Sequence, residues 1–268
     1  MVGTAEQLNF MSVLINSQST NGALNIKLTA DIDMSGIDGF MPFNSYRGTF
    51  DGQGHTISGL HISLPETDYV GLLGQVLPGC TLKNLTLAPD CIIEGKAFVG
   101  MIGGSHPSEG TITMTNLINH GSVIGGAQNA GGIIGCCMEA KATFLITNCG
   151  VTGTVKGANE SAAISGWVGD KSTIKNCWTV ASVDGADNEA SMFLRPNSAG
   201  LDNCYTTVGT QGTVIDASAV TTGELTWLLN GKSFTSPVWY QTIDEDETPV
   251  LDATHGVVYQ TSDGYEDV

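Results

Sequence analysis

The sequence contains two short motifs that return together at a nearly fixed spacing, and this repeat constrains the fold more than any other feature. The glycine motif Val70-Gly71-Leu72-Leu73-Gly74 returns at residues 99–103 and 131–135, and in degraded form at 162–166 and 190–194. Each copy is followed by a tetrapeptide with an apolar residue, any residue, Asn and a further apolar residue or Cys. The asparagines are Asn84, Asn116, Asn148, Asn176 and Asn203, so their spacings are 32, 32, 28 and 27 residues. A fixed period of this kind indicates a repeat architecture.

Each period predicts one coil of a parallel β-solenoid. It holds three short apolar runs with Gly and Thr inside them, which is typical of strands rather than helices. At about 3.3 Å per residue, a period near 30 is long enough for three strands and three turns. A propeller blade needs about 40–45 residues and four strands, so the period is too short for that fold. We therefore expect an all-β chain in which each strand stacks on its counterpart one period later.

Stacking gives each aligned position a physical role. Asn tolerates left-handed backbone at a corner, and repeated amides are expected to bond to one another as an internal ladder. The next position is occupied by Leu85 and Leu117 and then by Cys149, Cys177 and Cys204. Because Leu and Cys share this column, we interpret these three cysteines as core residues rather than as catalytic or metal-binding groups.

The ends of the repeat region carry signals for capping elements. Thr4-Ala5-Glu6-Gln7 and Thr221-Thr222-Gly223-Glu224 both resemble capping boxes that begin helices. We expect an N-terminal helical cap at 1–20, a parallel β-helix at 21–215, and a C-terminal cap with an acidic tail at 216–268.

The charge is strongly negative, and this argues against some partners. The net charge is −17, and the chain from residue 216 onward contains ten acidic residues and one basic residue. Such a field repels phosphate backbones, so we expect no nucleic-acid partner. No apolar run reaches the roughly 20 residues that span a bilayer, so no transmembrane segment is predicted. We expect a monomer.

No motif predicts a cofactor or a metal site. The chain has no Cys-x-x-Cys pair and no zinc-type cluster, and the acidic run at 244–247 lacks the spacing of a calcium loop. A calcium ion would therefore have no motif to support it. The pairing state of the remaining cysteines stays open, and these are Cys80, Cys91, Cys136 and Cys137.

Two sets of residues are candidates for function. Asp51 and His55 form a weak catalytic candidate, and the alternative is an Asp that bonds to turn amides. Trp178 and Tyr205 follow core cysteines in adjacent coils, so alternation turns them outward as a stacking surface for sugars or a protein. Trp167 belongs to the same group of ligand-binding candidates. The alternative for Trp178 and Tyr205 is packing beneath the C-terminal cap.

The glycine motif resembles the pattern after which the GLUG family is named, over about residues 70–195. That resemblance implies a right-handed single-stranded parallel β-helix from a secreted or surface-exposed bacterial protein, adhesin-like or attached to a peptidase. The family motif has no catalytic role, so the resemblance implies no catalytic residue. It places the chain outside the cell or on its surface, although no signal or anchor is recognisable.

The sequence thus favours a non-catalytic extracellular scaffold for binding or adhesion, with a glycan or a host or cell-surface protein as the partner. One alternative is a carbohydrate-active enzyme, either a glycoside hydrolase or a polysaccharide lyase, that uses Asp51 and His55. A second alternative is a structural stalk.

Overall fold

A computed structural model of the chain describes residues 1–105, 108–137, 141–168, 171–185, 190–191, 193–194 and 200–268. At residues 136, 137, 190 and 191 it describes the backbone alone. The state of the Cys136 and Cys137 thiols therefore lies outside the described residues. None of the helices in this described part is long and apolar enough to cross a membrane.

In the described part of the chain, two α-helices flank the strands. Helix α1 is Ala5–Ser17, and the Thr4 side chain accepts a hydrogen bond from the Gln7 backbone N–H, as its capping box predicts. Helix α2 is Glu224–Leu229. The capping box expected before α2 is wrong, because Gly223 occupies the cap position with φ 86° and offers no side chain. Short 3₁₀ turns lie at Ser19–Ala23 and Ala217–Val220.

Parallel strands form three walls across the described residues. The first, which we call the long wall, contains β1 Ile26–Lys27, β2 Ile32–Asp33, β3 Thr49–Asp51, β4 Thr56–Ser58, β7 Thr81–Leu87, β10 Gly110–Asn119, β13 Ala142–Val151, β16 Thr173–Lys175, β17 Trp178–Thr179, β20 Gly200–Asp202, β21 Tyr205–Thr206 and β22 Thr213–Val214. The second wall contains β5 His61–Val70, β8 Ile92–Val99, β11 Ser122–Gly131, β14 Thr154–Gly157, β15 Ser161–Ala162, β18 Ser182–Asp184 and β19 Ala190–Ser191. The third contains β6 Leu73–Val76, β9 Ile102–Ser105 and β12 Ile134–Cys137.

The chain visits the three walls in turn and repeats this path, which makes the fold a parallel β-solenoid of about four turns. The register follows the sequence period. In the long wall Leu82 lies beside Met114, Met114 beside Ile146, and Ile146 beside Ile174, which in turn lies beside Leu201. All of these side chains except Leu201 are fully buried, and Leu201 packs against them. The period therefore converts directly into columns of core residues.

The glycines of the repeated motif allow neighbouring coils to approach closely. A Cβ added at Gly103 would lie within 3 Å of the Tyr69 backbone, and one at Gly135 would lie within 3 Å of the Val99 backbone. At these two glycines the motif therefore packs directly on the backbone of the preceding coil. A larger residue at either position would have to separate the coils.

The column of cysteines lies in the core. Cys149 and Cys177 are fully buried and Cys204 is 3% exposed, and all three are free thiols. Cys80 and Cys91 are also buried and free. Burial raises the pKa of the Cys80 thiol to about 12 and that of Cys91 to about 11. These thiols therefore act as small apolar side chains rather than as nucleophiles.

The C-terminal segment, by which we mean residues 216–268, packs against the outer side of the long wall. Ile118 and Trp178 project from that wall and form a second apolar cluster with Leu225, Leu229 and Trp239. Strands β23 Val258–Gln260 and β24 Tyr265–Asp267 pair antiparallel at the end of the chain. Because Ile118 and Trp178 lie two coils apart, the segment covers the side of the solenoid across several coils.

Candidate functional site

The asparagine side chains form a continuous line of hydrogen bonds along the long wall, which we call the asparagine ladder. In each step the side-chain Nδ2 donates to the Oδ1 of the asparagine one coil earlier, at 2.8–3.3 Å. The residues are Asn84, Asn116, Asn148, Asn176 and Asn203, and each has a φ between 51° and 55°. Asn reaches this left-handed region more cheaply than most residues, and its amide then points along the stack.

The ladder has a direction and two different ends. At one end the Tyr205 hydroxyl donates to Asn203 Oδ1 at 2.7 Å. Asn203 Nδ2 also lies within hydrogen-bond distance of the Leu228 and Leu229 carbonyls of α2, which ties the ladder to the C-terminal segment. At the other end Asn84 Nδ2 donates to Asp51 Oδ1 at 2.9 Å. All of the amide donors therefore point towards a carboxylate.

Asp51 is held as a structural anion. Its Oδ1 also accepts from the Gln53 backbone N–H at 3.0 Å, and Lys83 Nζ lies 3.2 Å from Oδ2. Burial raises the pKa of Asp51, but the hydrogen bonds from Gln53, Asn84 and Lys83 outweigh it and lower the pKa to about 2. A carboxylate this acidic cannot hold a proton near neutral pH, so it cannot serve as the general acid that glycoside hydrolysis needs.

The weak catalytic pair of Asp51 and His55 is not formed. His55 Nδ1 pairs with Asp31 Oδ1 at 3.1 Å, and in the described part of the chain no hydrogen bond or ion pair joins it to Asp51. The physical reason is the register, which places the Asp51 carboxylate on Asn84 and Lys83 of the next coil. The turn after Asp51 carries His55 to Asp31, the residue before β2.

An open groove of about 760 Å³ lies between the long wall and the C-terminal segment, and we call it the side groove. The wall contributes His55, Thr86 and His120, and the C-terminal segment contributes Leu251 and His255. Asp31, Asn84, Asn116, Asp252 and Ala253 also line it. Asp51 does not line it.

Each of the three imidazoles in the side groove is held through Nδ1. Asp31 holds His55, the Asp246 carboxylate lies 2.7 Å from His255, and the Thr152 hydroxyl lies 2.7 Å from His120. A carboxylate can only accept, so Nδ1 of His55 and of His255 carries the proton. In the neutral ring Nε2 is then an acceptor. Burial lowers the pKa of His120, which favours its neutral form.

The exposed aromatic surface predicted from Trp178 and Tyr205 is wrong. Trp178 is fully buried, and its ring centroid lies 6.1 Å from that of Trp239 in an edge-to-face arrangement. The indole also lies across Gly150 of the preceding coil, where an added Cβ would overlap it. Alternation does turn Trp178 outward, but the C-terminal segment covers it there. The alternative reading, packing beneath that segment, describes the structure, and Tyr205 is half-buried at the edge of the same cluster.

Trp167 belongs to a different aromatic group, which the sequence patterns did not reveal. It is half-buried against Phe98, whose ring lies 4.7 Å from that of Tyr69. Tyr69 and Phe98 each precede a glycine motif and have φ values of 60° and 59°. Bulky residues rarely adopt positive φ, so propensity gives no signal at these two positions. Their shared place immediately before the motif is one sequence signal, and Asn129, which takes the same place in the next coil with a φ of 56°, is another.

Across the described residues, no group of three or more His, Cys, Asp or Glu side chains is placed to hold a metal ion. The three imidazoles of the side groove are therefore arranged as separate hydrogen-bonding groups.

Comparison with known proteins supports the fold and leaves the family open. No family model matches the chain, so membership of the GLUG family is not confirmed. The chain is 26% identical over 256 residues to Halomucin of Haloquadratum walsbyi, an alignment that covers 84% of this chain and 3% of Halomucin. The chain thus spans only a small part of that relative's length.

A solved structure shares the fold over most of its length. It is a Bacteroides ovatus protein provisionally described as an immunoglobulin A1 protease, and it matches with a TM-score of 0.65 and 18% identity. The match covers 94% of this chain and 91% of the other. At this identity the likeness establishes the solenoid fold and carries no activity across.

Proposed function

We propose that this chain is a non-catalytic binding or adhesion scaffold that works outside the cell or on its surface. The observation that carries the proposal is the state of Asp51. Its carboxylate ends the asparagine ladder, pairs with Lys83 and has a pKa of about 2. The residue best suited by sequence to catalysis is thus used to hold coils together.

The extracellular setting is supported by similarity, and the charge bears on the oligomeric state and the partner. Halomucin is by its name a mucin-like protein, and proteins of that kind are found at surfaces. A net charge of −17 keeps a stacked β protein soluble and apart from its copies, which fits a monomer. The same field disfavours nucleic acid as a partner.

The partner class that fits best is a glycan, with a host or cell-surface protein as the second option. A solenoid presents long, regular outer faces to a partner, which suits extended ligands. The negative field disfavours polyuronates and sulfated glycans, so we expect a neutral glycan. No cofactor is part of the proposal.

An enzyme acting on carbohydrate is the competing function, and one experiment separates the two. The protein is incubated with a panel of neutral and charged glycans, and both retention of the glycan and release of shorter products are measured. The scaffold predicts retention without product, for the natural chain and for Asp51→Asn alike. The Asn side chain keeps an oxygen to accept from Asn84 but removes the charge, so the variant should still fold.

Product release that Asp51→Asn abolishes would overturn the scaffold function. If no glycan is retained, adhesion of the protein to intact cells before and after protease treatment tests the protein partner. Failure of both arms would leave the structural stalk.

A further inference from the structure

We propose that the side groove is the binding site for a neutral oligosaccharide. This inference rests on the proposed function and gives it a location, since it names the surface and the class of ligand. The groove is about 760 Å³, within the range of roughly 300–1,000 Å³ typical of sites that enclose small ligands. It is open to solvent.

The lining of the groove is rich in hydrogen-bond acceptors. Because carboxylates fix the proton on Nδ1, the Nε2 atoms of His55 and His255 are acceptors in the neutral rings. The carboxylates of Asp31 and Asp252 add further acceptors. An acceptor-rich site selects a ligand that carries many donors, and sugar hydroxyls meet that need while also accepting.

The negative charge of the groove argues against anionic ligands. Asp252 accepts from the Thr254 backbone N–H and hydroxyl, and these hydrogen bonds lower its pKa, so it is ionised in the groove. His120 is kept neutral by burial. Phosphate, sulfate or uronate groups would meet these carboxylates with no Lys or Arg among the lining residues, and would be repelled.

Each side of the groove is held in place by its own hydrogen bonds. The wall side is fixed by the asparagine ladder, since Asn84 and Asn116 line the groove and also bond to one another. The opposite side is fixed by His255 on Asp246, whose carboxylate also accepts from the Thr242 backbone N–H. Preorganised groups of this kind lose little conformational entropy when a ligand binds.

The test uses the whole chain and a steric block. Ala253 is exposed on the groove, so Ala253→Trp should fill it without removing a polar contact. Ala217→Trp is the matched control, because Ala217 is exposed and lies outside the groove. His55→Ala removes one acceptor, and His61→Ala is its control at an exposed histidine that does not line the groove.

Binding is measured by calorimetry with neutral trisaccharides of glucose, mannose and xylose, a cationic trisaccharide of glucosamine and an anionic trisaccharide of galacturonate. We expect a neutral trisaccharide to bind, with about tenfold or greater weakening in Ala253→Trp and in His55→Ala and no change in either control. Melting temperatures of all four variants verify that they fold.

The other outcomes separate the inference from the function on which it rests. Neutral binding that Ala253→Trp leaves intact would place the glycan elsewhere, overturning the groove and sparing the scaffold. Binding of the cationic trisaccharide alone would overturn the inference that the ligand is neutral. If no trisaccharide binds, the side groove is not the binding site, and the cell-adhesion experiment then decides the scaffold function by itself.

Discussion

The Asn84 side-chain amide donates a 2.9 Å hydrogen bond to the Asp51 carboxylate, and this contact ends the asparagine ladder on a negative charge. Every amide in the line is oriented with its donor towards that charge. Hydrogen bonds in such a chain polarise one another, so a charged acceptor at the end strengthens the line as a whole.

Removing an asparagine from the middle of the ladder should destabilise the fold strongly. Asn148→Gly keeps the left-handed backbone but leaves Asn116 Oδ1 and Asn176 Nδ2 without their ladder partner. We expect a loss of about 2–3 kcal/mol in the free energy of unfolding, measured by urea denaturation. Asn148→Leu should cost about 1 kcal/mol more, because Leu is strained at positive φ.

The control for this pair is Asn159→Gly, at an exposed asparagine outside the ladder whose side chain bonds to the Ala127 carbonyl. That change should cost less than about 1 kcal/mol. Equal losses for Asn148→Gly and Asn159→Gly would show that the ladder adds no stability of its own.

Acid should weaken the protein partly through Asp51. Its pKa is about 2 in the folded chain against 3.8 as the ordinary value, so the folded state releases this proton more readily than the unfolded state does. The stabilisation is complete above about pH 4 and is lost as the pH falls towards 2, and it amounts to roughly 1–2 kcal/mol. Asp51→Asn should flatten the fall in stability over this range. Unfolding curves at pH 5, 4, 3 and 2 measure it, and parallel curves for the two proteins would contradict the role given to Asp51.

Truncating Trp178 should damage stability rather than a binding surface. The side chain is fully buried against Trp239, so Trp178→Ala should cost about 3–5 kcal/mol. Neither indole N–H has a hydrogen-bond partner within the described residues, so Trp178→Phe loses no hydrogen bond and should cost less. Thermal unfolding and the quenching of tryptophan fluorescence by acrylamide measure these effects. An accessible Trp178, or a Trp178→Ala variant as stable as the natural chain, would contradict the docking of the C-terminal segment.

The core cysteines should be inert while the protein is folded. A variant with Cys136→Ser and Cys137→Ser leaves five thiols, all of them buried and free. Treated with a thiol-reactive aromatic disulfide at pH 8, it should react only at the rate of unfolding, because burial and raised pKa values suppress the thiolates. In urea all five should react at once. Rapid reaction of the native variant would show that the cysteine column is accessible.

The repeat made much of the fold predictable because a solenoid turns sequence spacing into contact. Residues one period apart lie side by side, so aligning the motifs was enough to place Cys149 beside Cys177 and Leu117 in one buried column. The N-terminal helix followed from a local capping pattern at Thr4. The second capping pattern was wrong, since Gly223 occupies the cap position of helix α2 with a φ of 86°, and a Cβ there would lie within 3 Å of the Ile243 side chain.

The sequence could not decide the contacts between the repeating wall and the non-repeating C-terminal segment. Strand alternation correctly turned Trp178 away from the core, but only the packed structure shows that Trp239 covers it. The place of Trp239 is set by long-range burial, and no spacing along the chain encodes it. His55 and His255 are 200 residues apart, and they meet at one groove only because the C-terminal segment returns to the wall.

The repeat therefore made the coil, its period and the columns of stacked residues predictable, because each of these depends on neighbours at a constant separation. Where the ladder ends, what covers Trp178 and where a groove opens became visible only in the folded chain. Those features depend on a non-repeating segment burying its apolar side against a repeating wall, and the hydrophobic effect that drives this burial has no direction or period to read in advance.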